Sequence, residues 1–422
     1  MKTRFLPALI FPLFTLAVQA EESSPAALND PAFWKTYHVT PASWPAEEID
    51  AAVRRRAEEA GVRALLYEGA VYQGKPTRVF AFYGAPPPEK RGTDGKVPGI
   101  ILVHGGGGTA FESWVKLWVD RGYAALAMDT CGALPLGKKP EGRFANDWHR
   151  LPDGGPMGWG GFEQLLKGEP ALDNWMHQAT AAVLLGHSWL LAQPEVDPQR
   201  TGITGISWGA VLACRAAGAD PRFQFAVPVY GCGFLHESSA WARQLGRLKN
   251  DADATLLWSH RYDPSGLLVH ARMPFLWVNG TNDFAFPLDA WLKSARSTLA
   301  PSAYCMPLRM SHAHGGSGEN PPEIQAFADS ITRGGVPLAK PLSVTVQEGR
   351  ARVTWEAQKP MAKVELLFTK DDVSPWKDRL WESLPAQWTP GDSHAEATLP
   401  EGTAHWFFHL TDKRGLAVSA FP

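Results

Sequence analysis

The residues Gly205-Ile206-Ser207-Trp208-Gly209 fit the pattern Gly-x-Ser-x-Gly. A serine lifted on a sharp strand-to-helix turn crowds the positions two residues before and after it, and glycine there removes the clashing Cβ. The hydroxyl of such a serine becomes a nucleophile only when a neighbouring base takes its proton, and a carboxylate must orient that base. On a turn of this kind the partners follow in the order acid, then histidine. Asp283 is the candidate acid, because it follows the apolar run Pro274–Val278 directly. His312 and His314 compete as the base. His312 is preferred for lying nearer the strand end, which leaves His314 to contact substrate or to hydrogen-bond the loop. Asp220 and Asp263 are weaker acids, since no comparable strand precedes them, and His177 and His187 fall in a helical run and read as structural.

Upstream, His104 opens a run of four glycines, Gly105 to Gly108. Without Cβ atoms the backbone can turn its amides toward a tetrahedral oxyanion, each donor stabilising the transition state by roughly 3–4 kcal/mol. The expected donors are the Trp208 amide and one or two among Gly105, Gly106 and Gly107. A phosphate cradle is excluded, because no Gly-Lys-Ser/Thr follows.

With 40 glycines in the chain, a five-residue pattern can arise by chance, so the surrounding elements must supply the support. Short continuous apolar runs at Pro98–Val103, Tyr123–Met128, Thr201–Ile206, Phe225–Val229 and Pro274–Val278 predict strands buried on both faces of a parallel sheet. Val62–Tyr67 and Thr77–Tyr83 precede them, and Tyr304–Met310 is the last of the set. Helices are predicted over 46–60, 114–121, 173–193 with Asp173 as N-cap, 208–218 and 321–333. Ligands bind such sheets at the strand carboxyl ends, where the glycine loop, Ser207, the 279–283 turn and the 311–316 turn all fall. From Cys131 to about Pro170, and again from Gly231 to His270, the periodicity disappears; irregular segments this long are usually functional.

Lys2, Arg4, an apolar run from Phe5 to Leu16 and the small residues before Glu21 predict a secretory signal over 1–20, cut after Ala20, and hence a periplasmic or secreted protein. The run is shorter than the roughly 18–20 apolar residues that cross a bilayer. An N-terminal arm and helix are expected over 21–61, the arm lying on the surface. An α/β domain with a mainly parallel sheet spans 62–335, and a small C-terminal all-β sandwich-like module spans 340–422. A net charge of −2, with both signs scattered, points to neither nucleic acid nor a membrane surface. Cys131, Cys214, Cys232 and Cys305 lack zinc spacing; in an oxidising compartment they allow up to two disulfides of unspecified pairing. The 18 tryptophans suit both a core and the stacking of sugar rings.

These motifs resemble the α/β-hydrolase superfamily. Within it, the segments Leu102–Phe111, Gly205–Gly209, Pro228–Phe234, Asn279–Asp283 and Met310–His314 are similar to secreted bacterial carbohydrate esterases of the acetyl xylan esterase and dienelactone hydrolase-like branch, which includes pectin methylesterases. Ala210 departs from the third glycine that many relatives carry. The resemblance implies a serine esterase that removes methyl or acetyl groups from a plant or algal polysaccharide such as pectin or xylan, through an acyl-enzyme and with no metal or cofactor. Trp148, His149, Arg150 and Trp159 are candidates to grip a sugar, and Arg143, Arg150 or Arg261 to pair with a uronate carboxylate. Two rival expectations are a serine peptidase of the prolyl-oligopeptidase type, against which no propeller-like repeat precedes the domain, and a non-catalytic glycan-binding protein.

Overall fold

The computed structural model describes residues 27–137, 148–242, 245 and 252–422. The expected signal segment and Arg143 lie outside them. One sheet of nine strands organises the chain: β1 (Ser43–Trp44), β2 (Arg63–Glu68), β3 (Arg78–Gly84), β4 (Val97–Val103), β5 (Ala124–Met128), β8 (Val196–Ile206), β9 (Phe225–Val229), β10 (Phe275–Val278) and β11 (Ser302–Cys305). Between β5 and β8, the short strands β6 (Ala133–Leu134) and β7 (His149–Arg150) pair as a separate ribbon.

The strand order is β1-β2-β3-β5-β4-β8-β9-β10-β11. β1, β2 and β3 join antiparallel, β3 meets β5 antiparallel, and every pair from β5 to β11 is parallel. After β4 the chain moves to β5 on one side and returns to β8 on the other. That reversal opens a crevice beyond the carboxyl end of β4, where a ligand finds room between loops diverging in opposite directions.

Alternate side chains of each inner strand feed two cores. Ile101 and Val103 of β4 join a cluster with the helices Trp175–Leu191 and Trp208–Ala219. Ile100 and Leu102 join the opposite cluster with the helices Ala51–Glu59, Glu112–Asp120 and Pro322–Thr332. Burial on both faces explains why these strands read as continuous apolar runs. The C-terminal residues form two antiparallel sheets, β12 (Lys340–Gln347), β13 (Arg350–Glu356) and β16 (His394–Thr398) in one, and β15 (Glu382–Pro385), β14 (Met361–Thr369), β17 (His405–Asp412) and β18 (Ala417–Ala420) in the other. Val353, Trp355 and Ala395 of the first share a core with Val364, Leu366 and Phe408 of the second.

Several local expectations are corrected. The long helix is capped by Asn174, whose side chain accepts from Met176 N, while Asp173 instead accepts from Gln73 N. The helix expected from 46 begins at Ala51, behind the Asp50 cap. The last strand stops at Cys305 because Met306 N donates to Ser419 Oγ and Arg309 turns to φ +53°, ending the ladder. All four cysteines are free and buried, with no disulfide between them. The arm is not wholly superficial, since Trp34 is fully buried and stacks on His177 at 5.2 Å.

His177 is buried and bonded to Tyr37 Oη at 2.8 Å. Burial, reinforced by the Arg215 guanidinium, pushes its pKa down to about 3. The unfolded chain takes up this proton near pH 6.5 and the folded chain does not, so this stability is present above about pH 6.5 and is lost as pH falls toward 3. The loss is at most about 1.4 kcal/mol per pH unit. Urea unfolding of wild type and His177→Gln between pH 7 and 4 is expected to show a shallower pH slope in the variant; equal slopes would remove His177 from the account.

Candidate active site

Ser207 lies between β8 and the helix Trp208–Ala219 with φ 56° and ψ −118°, a conformation that costs a non-glycine residue on the order of 1–3 kcal/mol. Its amide donates to Val229 O at 3.0 Å, and its carbonyl accepts from Ala210 N and Val211 N at 2.9 and 3.1 Å. The flanking glycines are demanded by backbone approach. A Cβ on Gly205 would lie 2.1 Å from Gly209 O, and one on Gly209 would lie 2.0 Å from Val103 O. Gly231 belongs to the same junction, since a Cβ there would stand 2.6 Å from Ser207 O.

Asp283 follows β10 and is 4% exposed. Its Oδ1 accepts from Ala285 N and Phe286 N at 2.8 and 2.7 Å, and its Oδ2 lies 2.6 Å from His312 Nδ1. With Oδ1 saturated by amides, Oδ2 accepts the hydrogen bond of the imidazole N–H, so Nδ1 is the donor and Nε2 presents a lone pair. The rings of Tyr230, Phe284 and Phe286 surround this imidazole, with centroids 4.2, 4.7 and 6.2 Å away.

His314 has a separate partner. Its Nδ1 lies 3.1 Å from Glu319 Oε1, and its Nε2 accepts from Gly105 N at 3.0 Å. The geometry therefore joins Asp283 to His312 and leaves His314 bracing the glycine loop. Glu319 had no signal in the sequence beyond lying five residues downstream; the turn Gly316–Glu319 carries it back to the ring. The Gly105 amide is committed to His314, so of the four expected oxyanion donors the amides of Gly106, Gly107 and Trp208 are left without a hydrogen-bond partner among the described residues. His104 is buried at the base of this loop, its Nε2 accepting from Thr130 N at 3.0 Å and its Nδ1 donating to Gly105 O at 2.9 Å. Burial holds its pKa below the ordinary range, so the ring stays neutral and keeps both bonds.

Ser207, Trp208, Gly105 to Gly108, His312 and His314 line one cavity of about 470 Å³, within the usual size of ligand sites. Ser207 and His312 face it without a direct hydrogen bond between their side chains; such bonds commonly tighten only with substrate in place. Its apolar wall is Phe111, Trp148, Trp241 and Phe284. Trp148 is the only one of these singled out in the sequence; its Nε1 donates to Gly107 O at 3.3 Å. Trp241 comes from the second irregular segment, and the sequence carried no periodic signal for it.

The other sugar-binding candidates lie elsewhere. Trp159 stands behind the glycine loop, edge-on to Trp175 at 5.7 Å, and lines a neighbouring cavity. His149 is exposed on the β6–β7 ribbon. The Arg150 guanidinium is spent on the Cys131 and Gly155 carbonyls, which brace the loop, and Arg261 lies outside the cavity, on the helix Ala252–Tyr262. Among the described residues, no cluster of three or more His, Cys, Asp or Glu is placed to hold a metal ion.

No known protein-family model matches the sequence. Among solved structures, an acetyl xylan esterase from Paenibacillus sp. R4 superposes with a TM-score of 0.53 at 18% identity, covering 71% of this chain and 94% of that one. Acetyl xylan esterase 1 from Thermoanaerobacterium sp. JW/SL YS485 gives 0.49 at 16% identity, covering 72% and 95%. A curated relative, a probable dipeptidyl-peptidase 5 of Aspergillus terreus (strain NIH 2624 / FGSC A1156), is 22% identical over 269 residues, which are 60% of this chain. The match spans only 33% of that relative's length. With its strand order, its serine on the sharp turn after β8 and this likeness of architecture, the chain has the α/β-hydrolase fold.

Proposed function

We propose that the protein is a serine carboxylic-ester hydrolase that removes methyl or acetyl esters from plant or algal polysaccharide such as pectin or xylan. One observation carries the reading: His312, bonded to the buried Asp283 at 2.6 Å, and the strained Ser207 face one cavity that Gly106, Gly107 and Trp208 also line. Ser207 Oγ attacks the ester carbonyl while its proton passes to His312 Nε2. Asp283 Oδ2 keeps its bond to Nδ1 and stabilises the imidazolium. The developing oxyanion meets the amides of Trp208 and Gly106, and each such donor supplies roughly 3–4 kcal/mol in the transition state. His312 then gives its proton to the leaving alkoxide oxygen. Water, deprotonated by the same nitrogen, hydrolyses the acyl-enzyme and restores Ser207.

The aromatic wall supports a carbohydrate ester, because flat apolar rings suit the C–H faces of sugars. Paenibacillus acetyl xylan esterase shares the fold. A second reading, a serine peptidase, draws on the Aspergillus relative, of which the chain matches about a third. Both readings use the same nucleophile and differ in the leaving group.

Hydrolysis of p-nitrophenyl acetate is expected for the wild type and reduced about 10⁴-fold or more in Ser207→Ala. Equal activity in both proteins, or none in either, would sink the esterase reading. His312→Ala is expected to match the serine variant, whereas His314→Gln, which loosens only the glycine loop, should lose about tenfold; the reverse ranking would exchange their roles. Methanol release from pectin, measured beside acetate release from acetylated xylan, identifies the group removed. Turnover of a dipeptide anilide with neither product favours the peptidase.

A further inference from the structure

The C-terminal sheets reach the site through one side chain beside the acid. Asn282 Nδ2 donates to Arg379 O at 2.8 Å and to Lys377 O at 3.0 Å, both in the loop between β14 and β15. Its Oδ1 accepts from Thr281 Oγ1 at 3.0 Å, and Thr281 Oγ1 accepts from Arg309 N at 3.1 Å. Arg309 is the residue at φ +53° three positions before His312. A single bonded path therefore runs from the C-terminal loop through the turn of the acid into the loop of the base.

The loop at the far end of this path is built to hold its shape. The Arg379 guanidinium lies 3.7 Å over the Trp376 ring and donates to Ser374 O and Asp372 O at 2.9 and 3.1 Å. Trp376 packs in turn on His405 of β17, at 4.8 Å. Behind it, Trp381 and Phe407 belong to the same apolar cluster as Trp277 and Trp291 of the central domain. A second tie, from Ser419 Oγ of β18 to Met306 N at 2.9 Å, fixes the start of the segment that leads to His312.

We infer that the C-terminal β-module positions the acid and base, with Asn282 as the positioning residue that couples it to Asp283 and His312. The carboxylate and the imidazole stand on two separate loops, and neither loop is long enough to carry its own core. Clamping both to a third, rigid body keeps the pair in register, and a misplacement near 1 Å can cost about a hundredfold in rate. The inference rests on the serine-hydrolase reading only for its rate consequence; the clamp itself is independent of substrate.

The test uses the full chain and two readings: the rate at which a fluorophosphonate labels Ser207, and the downfield proton NMR resonance of the His312 Nδ1–H bonded to Asp283. Asn282→Ala is expected to slow labelling about tenfold to a hundredfold and to shift or broaden that resonance, with circular dichroism unchanged. Arg379→Met, which touches neither Asp283 nor His312, should move both readings in the same direction by less. Labelling within twofold of wild type and an unmoved resonance in Asn282→Ala would overturn the inference. Should that variant fail to fold, Arg379→Met decides by the same criteria. Absence of labelling in the wild type would instead sink the hydrolase reading, and the resonance alone would then judge the clamp.

Discussion

The structure depends on how closely the helix after Ser207 approaches the end of β4. The Val103 carbonyl lies 2.0 Å from the position a Cβ on Gly209 would take, so backbone meets backbone with no room for a side chain. That approach forces Ser207 into its strained turn, aims its hydroxyl out of the sheet, and brings the Trp208 amide beside the glycine loop that leaves β4. The strain is sustained because β4, β9 and residues 201–206 of β8 are buried on both faces and pair in unbroken register from Gly99 of β4 and Gly202 of β8 onward. The strained Ser207 and the Trp208 amide beside the glycine loop are thus two consequences of a single packing contact.

Asp283 and His312 obey a different constraint. A buried carboxylate is tolerated only when its oxygens are bonded, and Asp283 satisfies one oxygen with two amides of its own turn. The remaining oxygen has one direction left, and His312 fills it. The same logic separates the two histidines. His314 finds Glu319 and the Gly105 amide, and so becomes part of the wall that shapes the oxyanion loop. His312 and His314 therefore line one cavity, the first bonded to Asp283 and the second to Glu319 and the Gly105 amide.

The C-terminal sheets extend this economy of parts. Their core is continuous with that of the central domain through Leu367, Trp381 and Phe407, and their loop at 376–379 closes on Asn282. A module that reads in sequence as a small separate sandwich is, in space, a third support for the loops that carry Asn282 and Arg309.

The elements nearest the backbone logic were legible in the chain. Apolar runs placed the inner strands, and the paired glycines announced the turn at Ser207. Local capping was less legible, because Asp173 and Asn174 are equally able caps and only the contact of Asp173 with the Gln73 amide separates them. Arg150 looked available for a substrate carboxylate until two backbone carbonyls claimed it. By itself, then, the sequence determined the inner strands and the sharp turn that carries Ser207, since those rest on periodicity and on the volume of a Cβ. Only the tertiary structure decided which histidine meets Asp283, which glycine amide is spoken for and what Asn282 holds, because each depends on partners 5 to about 200 residues away whose spacing along the chain carries no signal.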